Sequence, residues 1–364
     1  MSYLFDSIHS NQSVVAVNDI LSGKESGRTA FESAVFDFIR LWLKGTTTFT
    51  QRTSGSTGAP KEITITRNQM IASAGRTLKA VGIAEGDPAL VCLHPDYIAG
   101  KMMLVRALAF NLKIYLAEPS SDPLQNLSDD FEHGFAAFVP VQLQNMLAIP
   151  QRINQLNRMK AVLLGGAPVS ETLAKKISSL QCPVYATYGM TETVSNIALQ
   201  KLNGPAAQEK FFTTLPQISV STDERGCLVI HLPGADAPVK TNDVAELVSK
   251  TSFRIRGRWD HVINSGGIKI NPEELEQQAE AILQAKGIDR PFLIGSLPHE
   301  KLGEQPVLIM EGEPLGPEAE AELIEDLKQQ LKRHEAPRQI RYLTQFFYTA
   351  SGKLNRPEIL KGIR

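Results

Sequence analysis

Between about residues 67 and 190 the chain alternates helix-length amphipathic segments with short apolar runs at 89–93, 113–117, 135–139, 161–164 and 184–187. That rhythm predicts βαβ units around a parallel sheet. Two further short strands are predicted at 46–50 and 62–66.

Beyond Pro216 the pattern changes. Strand-like runs at 217–222 and 227–232 flank the turn Asp223-Glu224-Arg225-Gly226, and more follow at 244–249 and 253–256, as in an antiparallel β-rich subdomain. After Gly257-Arg258-Trp259-Asp260, Asn271-Pro272-Glu273-Glu274 starts a helix, with Pro near its first position and acids in its first turn. Leu275, Ala279, Ile282 and Leu283 give that helix one apolar stripe. A second helix over 317–333 carries Leu323, Ile324, Leu327 and Leu331 on one face. The fold class is therefore α/β: a large N-terminal domain over 1–258, with a mostly parallel sheet and a β-rich subdomain, then a small α+β domain over 261–364. No repeat or low-complexity tether occurs, so the junction near Asp260 is expected to be a short hinge.

Composition narrows the function. The 364 residues suffice for two or three domains. With 38 basic and 39 acidic residues, and no long basic run, no extended nucleic-acid footprint is expected. No stretch approaches the roughly 18 apolar residues of a membrane span. The start, Met-Ser-Tyr-Leu-Phe-Asp, lacks a basic region followed by an apolar core, which makes the cytoplasm the expected location. Cys92, Cys182 and Cys227 each sit in an apolar strand-like run and are expected to be buried thiols rather than disulfides or metal ligands.

The chemistry concentrates in a few turns. Thr53-Ser54-Gly55-Ser56-Thr57-Gly58-Ala59-Pro60-Lys61 lies between two strand-like segments and offers backbone N–H groups, hydroxyls and one cation to phosphates. It is not a Walker A loop, because Pro60 separates the glycines from Lys61 and a strand follows. A flexible polar turn is the plainer alternative. At another strand end, Tyr188-Gly189-Met190-Thr191-Glu192 supplies a ring for a base, a hydroxyl for a phosphate and a carboxylate for Mg²⁺. Individually, Tyr188 reads equally as a core aromatic and Glu192 as a solvated charge. Leu164-Gly165-Gly166-Ala167-Pro168 is a glycine turn of the kind needed where backbone approaches a flat ligand. Asp243, Arg258 and Lys353 lie at turns far apart along the chain.

In this order the segments resemble the adenylate-forming superfamily of acyl-CoA synthetases, luciferases and nonribosomal adenylation domains. The motifs are the loop at 53–61, the block at 188–192, Gly257-Arg258-Trp259-Asp260 followed by Ser265-Gly266-Gly267, and Gly352-Lys353-Leu354-Asn355-Arg356. The resemblance implies a large N-terminal and a small mobile C-terminal domain, and the substrates ATP, a small-molecule acid and coenzyme A, with Mg²⁺. It further implies that Thr53, Ser54, Gly55, Ser56, Thr57, Gly58 and Lys61 cradle phosphates, and that Gly165, Gly166, Ala167, Tyr188 and Gly189 border adenine. Thr191 would contact the α-phosphate, Glu192 would bind the metal, and Asp243 and Arg258 would hold the ribose. Asp260 would be the hinge and Lys353 the mobile catalytic lysine, with the face near Gly266 and Gly267 admitting the thiol.

Within the superfamily, Gly189-Met190-Thr191-Glu192-Thr193-Val194-Ser195 and Ile98-Ala99-Gly100-Lys101-Met102-Met103 are most similar to the subgroup that ligates 2-succinylbenzoate to coenzyme A in menaquinone biosynthesis. Such an acid carries a second carboxylate, for which Lys101 and Arg106 are the candidates, with Tyr97 and Ser195 beside them. Arg106 paired with a local acid and Lys101 in solvent is the alternative. Three departures stand out. Only 52 residues precede the phosphate loop, so the leading subdomain is expected to be reduced; Tyr97 replaces a common His; and Phe347 and Tyr348 replace a Pro and a basic residue. A ligase for another aryl or short acyl acid, and an inactive nucleotide-binding module, remain open, as does a homodimer.

Overall fold

The computed structural model describes residues 7–10, 13–52, 61–127, 131, 133–349 and 354–363. They fall into two compact units, one up to Ile218 and one from Ser219.

The first unit opens with a hairpin of β1 (Ser7–Ser10) and β2 (Ser13–Ala16), followed by helices α1 (Val17–Ser22) and α2 (Ala30–Leu43). Thr29 caps α2 by accepting from the Glu32 amide at 3.1 Å. A second hairpin pairs β3 (Thr48–Arg52) with β4 (Glu62–Thr66). Helix α3 (Arg67–Val81) begins where it does because Thr66 and Gln69 form a reciprocal capping box, and it ends at Gly82 with φ 72°.

The predicted βαβ rhythm then unfolds as β5 (Pro88–Val91), α4 (Ile98–Ala109), β6 (Lys113–Leu116), β7 (Phe135–Phe138), α5 (Pro140–Met146), α6 (Pro150–Asn157), β8 (Ala161–Leu164), α7 (Glu171–Ile177) and β9 (Val184–Met190). Parallel pairings run in the order β9-β8-β7-β5-β6-β1. Strands β7 and β8 are buried at every position, as central parallel strands must be when helices cover both faces. Beyond β9 the sheet turns antiparallel through β10 (Ser195–Lys201) and β11 (Phe212–Thr214).

The second unit holds an antiparallel sheet of β12 (Ser219–Thr222), β13 (Cys227–His231), β14 (Val239–Ser249) and β15 (Ser252–Arg258). It continues with β16 (Ile263–Ser265), β17 (Ile268–Ile270), α8 (Pro272–Ala285), β18 (Phe292–His299), β19 (Gly303–Glu311), α9 (Pro317–Gln330), β20 (Ile340–Leu343) and α10 (Arg356–Gly362). Alternation along β18 and β19 sends Ile294, Leu308 and Met310 against the stripes of α8 and α9. Leu293, Val307 and Ile309 face Ile359 of α10 instead. The α8 stripe is buried as predicted. Helix α9 stops at Gln330, so Lys332 and Arg333, placed in its last turn from the sequence, lie beyond it. All three cysteines are buried free thiols.

Candidate active site

In an open α/β sheet, side chains beyond the carboxyl ends of adjacent parallel strands share one crevice edge. Strands β8 and β9 are such neighbours, and their carboxyl ends lead into Gly165 and Thr191 respectively. The Gly165 amide donates to Phe138 O at 3.1 Å, and Thr187 Oγ1 donates to Leu164 O at 2.9 Å. A Cβ on Gly165 would sit 2.7 Å from Thr187 Oγ1, so only glycine leaves this edge open. Gly166 takes φ 89°, the left-handed region, and Ala167 follows in the same exposed turn. Tyr188 is half-buried on β9, its ring 5.7 Å from Phe212.

Past β9 the chain makes a single 3₁₀ turn, Thr191–Thr193, which leaves Glu192 exposed and Thr191 buried. Thr193 holds the turn: its Oγ1 accepts from the Met190 amide at 3.0 Å and lies 2.7 Å from Ser195 O. Val194 and Ser195 then take φ 66° and 148°. A β-branched residue in the left-handed region is costly and persists only where its surroundings impose it. Gly189 is the other half of this arrangement, since a Cβ there would lie 2.2 Å from Ser195 O and 2.5 Å from Asn196 Cα.

That contorted segment aims Ser195 and Asn196 at Arg106. Helix α4 is otherwise buried and apolar from Met102 to Leu108, yet Arg106 sits in it only 2% exposed. Its Nη2 donates to Asn196 Oδ1 at 2.8 Å and lies 3.3 Å from Ser195 Oγ, while Nη1 lies 3.5 Å from Met103 Sδ. Thr77 Oγ1 also reaches Asn196 Oδ1, at 3.3 Å. No carboxylate is among the partners of Arg106 in the described residues, and its Nε and the Asn196 Nδ2 have no hydrogen-bond partner. Burial pulls the guanidinium down to about 10.

Of the other candidates for the acid, Tyr97 is an exposed residue preceding α4, and Lys101 Nζ donates to Thr50 O at 3.3 Å. Burial lowers the Lys101 ammonium, and Asp96 works against that shift. Gln51 Nε2 donates to Asp96 O, so the β3–β4 hairpin is tied to the start of α4 at two points. Lys61 is exposed at the foot of β4, beside the Arg52–Glu62 pair at 3.0 Å. Thr53, Ser54, Gly55, Ser56, Thr57, Gly58 and Lys353 lie outside the described residues.

In the second unit, Asp243 and Arg258 are directly opposite each other on β14 and β15. Arg258 grips Asp260 with two bonds of 2.9 and 2.8 Å and approaches Asp243 at 3.5 Å. Burial alone would raise the Asp260 carboxyl, but the Arg258 bonds hold it below its usual value; the same bonds raise Arg258. His261 pairs with Glu273, whose Oε2 would be 2.6 Å from a Cβ on Gly257. On either side of Lys353, Tyr348 bridges Leu354 and the Asn355 amide donates to Phe347 O at 2.8 Å. Arg356 is held bidentately by Glu276 at 2.7 Å.

Asn196 is the polar residue that sequence reasoning passed over. Its signal was local: a second polar side chain beside Ser195, immediately before the apolar run Ile197-Ala198-Leu199.

The residues fit the nucleotide and metal that the resemblance implied. The Gly165 edge is bare where a flat base would need approach, and the exposed Glu192 carboxylate suits Mg²⁺, which takes one or two protein carboxylates beside substrate phosphates. Among the described residues no cluster of three or more His, Cys, Asp or Glu side chains forms an all-protein metal cage, and no helix is long and apolar enough to cross a membrane.

Comparison with known proteins gives concordant matches. The profile of a family described as AMP-binding enzyme matches residues 37–227. A 2-succinylbenzoate–CoA ligase of Listeria monocytogenes is 27% identical over 84% of this chain and 68% of its own length. An acyl-CoA synthetase (AMP-forming)/AMP-acid ligase II-like protein of Dyadobacter fermentans, of known structure, is 38% identical. It aligns over 94% of this chain and 97% of its own, with a TM-score of 0.62. The O-succinylbenzoate coenzyme A synthetase of Bacillus subtilis, solved with ATP and magnesium ion, shares the fold at 21% identity and a TM-score of 0.71, over 85% of this chain and 69% of its own.

Proposed function

Because the chain belongs to the AMP-binding enzyme family, we propose that it is an AMP-forming acid:CoA ligase whose acid is 2-succinylbenzoate, an acid of menaquinone biosynthesis. The observation that carries the choice of acid is Arg106, a buried guanidinium whose partners among the described residues are all neutral. Buried charges are normally paired, so this one fits an anion arriving with the substrate. An acid with a second, unreacting carboxylate supplies it, and Ser195 stands beside it.

The reaction follows from the weakness of a carboxylate as an acyl donor. An oxygen of the succinyl carboxylate attacks the α-phosphorus of ATP, the bond to pyrophosphate breaks, and the acyl-adenylate forms. The thiolate of coenzyme A then attacks the acyl carbon and AMP leaves with the electron pair of the broken C–O bond.

Two anions meet in the first step, so fixed donors and positive charge dominate its barrier; one such group is commonly worth ~3–4 kcal/mol. Lys61 and the hydroxyls of the 53–58 loop would hold the phosphates, Thr191 the α-phosphate, and Lys353 the charge that builds up during transfer. Mg²⁺ held by Glu192 would supply further neutralisation when bound. Gly165, Gly166, Ala167, Tyr188 and Gly189 would border the base, and Asp243 and Arg258 the ribose. Movement about Asp260 would exchange Lys353 for the Gly266–Gly267 face before thioester formation.

Pyrophosphate release measured across a panel of acids tests the assignment. 2-Succinylbenzoate is expected to give the highest kcat/KM. A benzoate or short acyl acid exceeding it would reassign the substrate within the same chemistry, and no release with any acid would favour a nucleotide-binding module.

A further inference from the structure

We propose that Asn196 is a positioning residue that sets acid selectivity, by holding the Arg106 guanidinium in place without neutralising it. The inference rests on the reading above that Arg106 receives the second carboxylate of the acid.

Asn196 Oδ1 accepts from Arg106 Nη2 at 2.8 Å and gathers Thr77 Oγ1 and Ser195 Oγ at 3.3 and 3.2 Å. Asn196 is 7% exposed and Thr77 fully buried, so the guanidinium is fixed by a packed network rather than by solvent. An amide oxygen satisfies one N–H and leaves the positive charge in place, whereas a carboxylate in the same position would make an internal ion pair. Two donors stay open among the described residues, Arg106 Nε–H and the Asn196 Nδ2 amino group, both buried and both without an acceptor there. Buried unsatisfied groups call for an explanation, and two neighbouring donors beside an uncompensated cation all lack the same thing, an anionic acceptor.

The backbone is organised around this placement. Val194 and Ser195 are held at positive φ, the β9–β10 register shifts between Asn196 and Ala198, and the partner of Asn196 across the strands is Gly189, where a Cβ would strike it. Such strain clusters where a side chain must be re-aimed.

The test is the isosteric variant Asn196→Asp, assayed with 2-succinylbenzoate and with benzoylpropionate, which lacks the ring carboxylate. The internal carboxylate occupies Arg106, so KM for 2-succinylbenzoate rises by about 10- to 100-fold, the value of one hydrogen-bonded charge. KM for ATP and for benzoylpropionate stays within about twofold, and the preference between the two acids collapses. A preference unchanged from the parent overturns the proposal. Should N196D fail to melt cooperatively, Asn196→Ala carries the test: the loosened guanidinium raises KM for 2-succinylbenzoate alone, by about tenfold, and an unchanged ratio again overturns it.

Arg106→Gln separates the proposal from the reading beneath it. If R106Q retains the preference, Arg106 does not meet the second carboxylate and both fail. If R106Q loses the preference and N196D keeps it, only the role of Asn196 fails.

Discussion

A guanidinium bonded only to neutral groups inside an apolar helix lowers the stability of the protein that carries it. Arg106 shows the sign: burial brings it from its ordinary value to about 10, so above pH 10 the unfolded chain binds the extra proton and stability rises until the ordinary value is passed. At neutral pH that gain is absent, and the folded protein carries the cost of a buried charge. Arg106→Met should therefore raise stability by about 1 kcal/mol or more in thermal or urea unfolding, while KM for the acid increases. A loss of about 3–5 kcal/mol would instead identify the guanidinium as a structural tie. At the residue scale, Arg106 reads from the sequence as one of two candidate cations on this helix, with pairing to a local acid as the alternative, and among the described residues its partners are neutral. Ser195 was anticipated beside it, but Asn196 was not, because Asn196 lies 90 positions away in the chain and meets Arg106 only through packing.

At the scale of elements, periodicity placed the parallel strands β5 to β9 and the two long helices of the second unit well, since burial on both faces or on one stripe leaves a strong pattern, but it passed over β1, which pairs with β6 in parallel. It missed the end of α9, where Leu331 turns to extended backbone although the charges that follow suit a helix C-terminus. It also could not show the joint between β9 and β10. Gly189 there reads as one more glycine bordering a nucleotide base, yet its lack of a Cβ is what allows β10 to approach. Gly189→Ala should cost about 1–3 kcal/mol in unfolding free energy, because the colliding atoms belong to the backbone of the paired strand. It should also raise KM for the acid, through displacement of Ser195 and Asn196. A variant with parental stability and KM would show that the joint tolerates a methyl group.

For the whole molecule, the motif order along the chain was legible and pointed to adenylate chemistry. The compact units divide at Ile218 and Ser219, and Asp260 lies inside the second, bound to Arg258 beside Asp243. The proposed ribose contacts and hinge thus share one arginine, a link that no spacing rule exposes. The central claim is that one chain first transfers the adenylyl group of ATP to 2-succinylbenzoate and then transfers the acyl group to coenzyme A. Its most direct test is mass spectrometry of the full-length protein incubated with ATP, Mg²⁺ and this acid, before and after coenzyme A is added. The account predicts a succinylbenzoyl-adenylate with matching pyrophosphate in the first mixture, converted to the coenzyme A thioester and AMP in the second. Folded protein that forms neither adenylate nor thioester would contradict it.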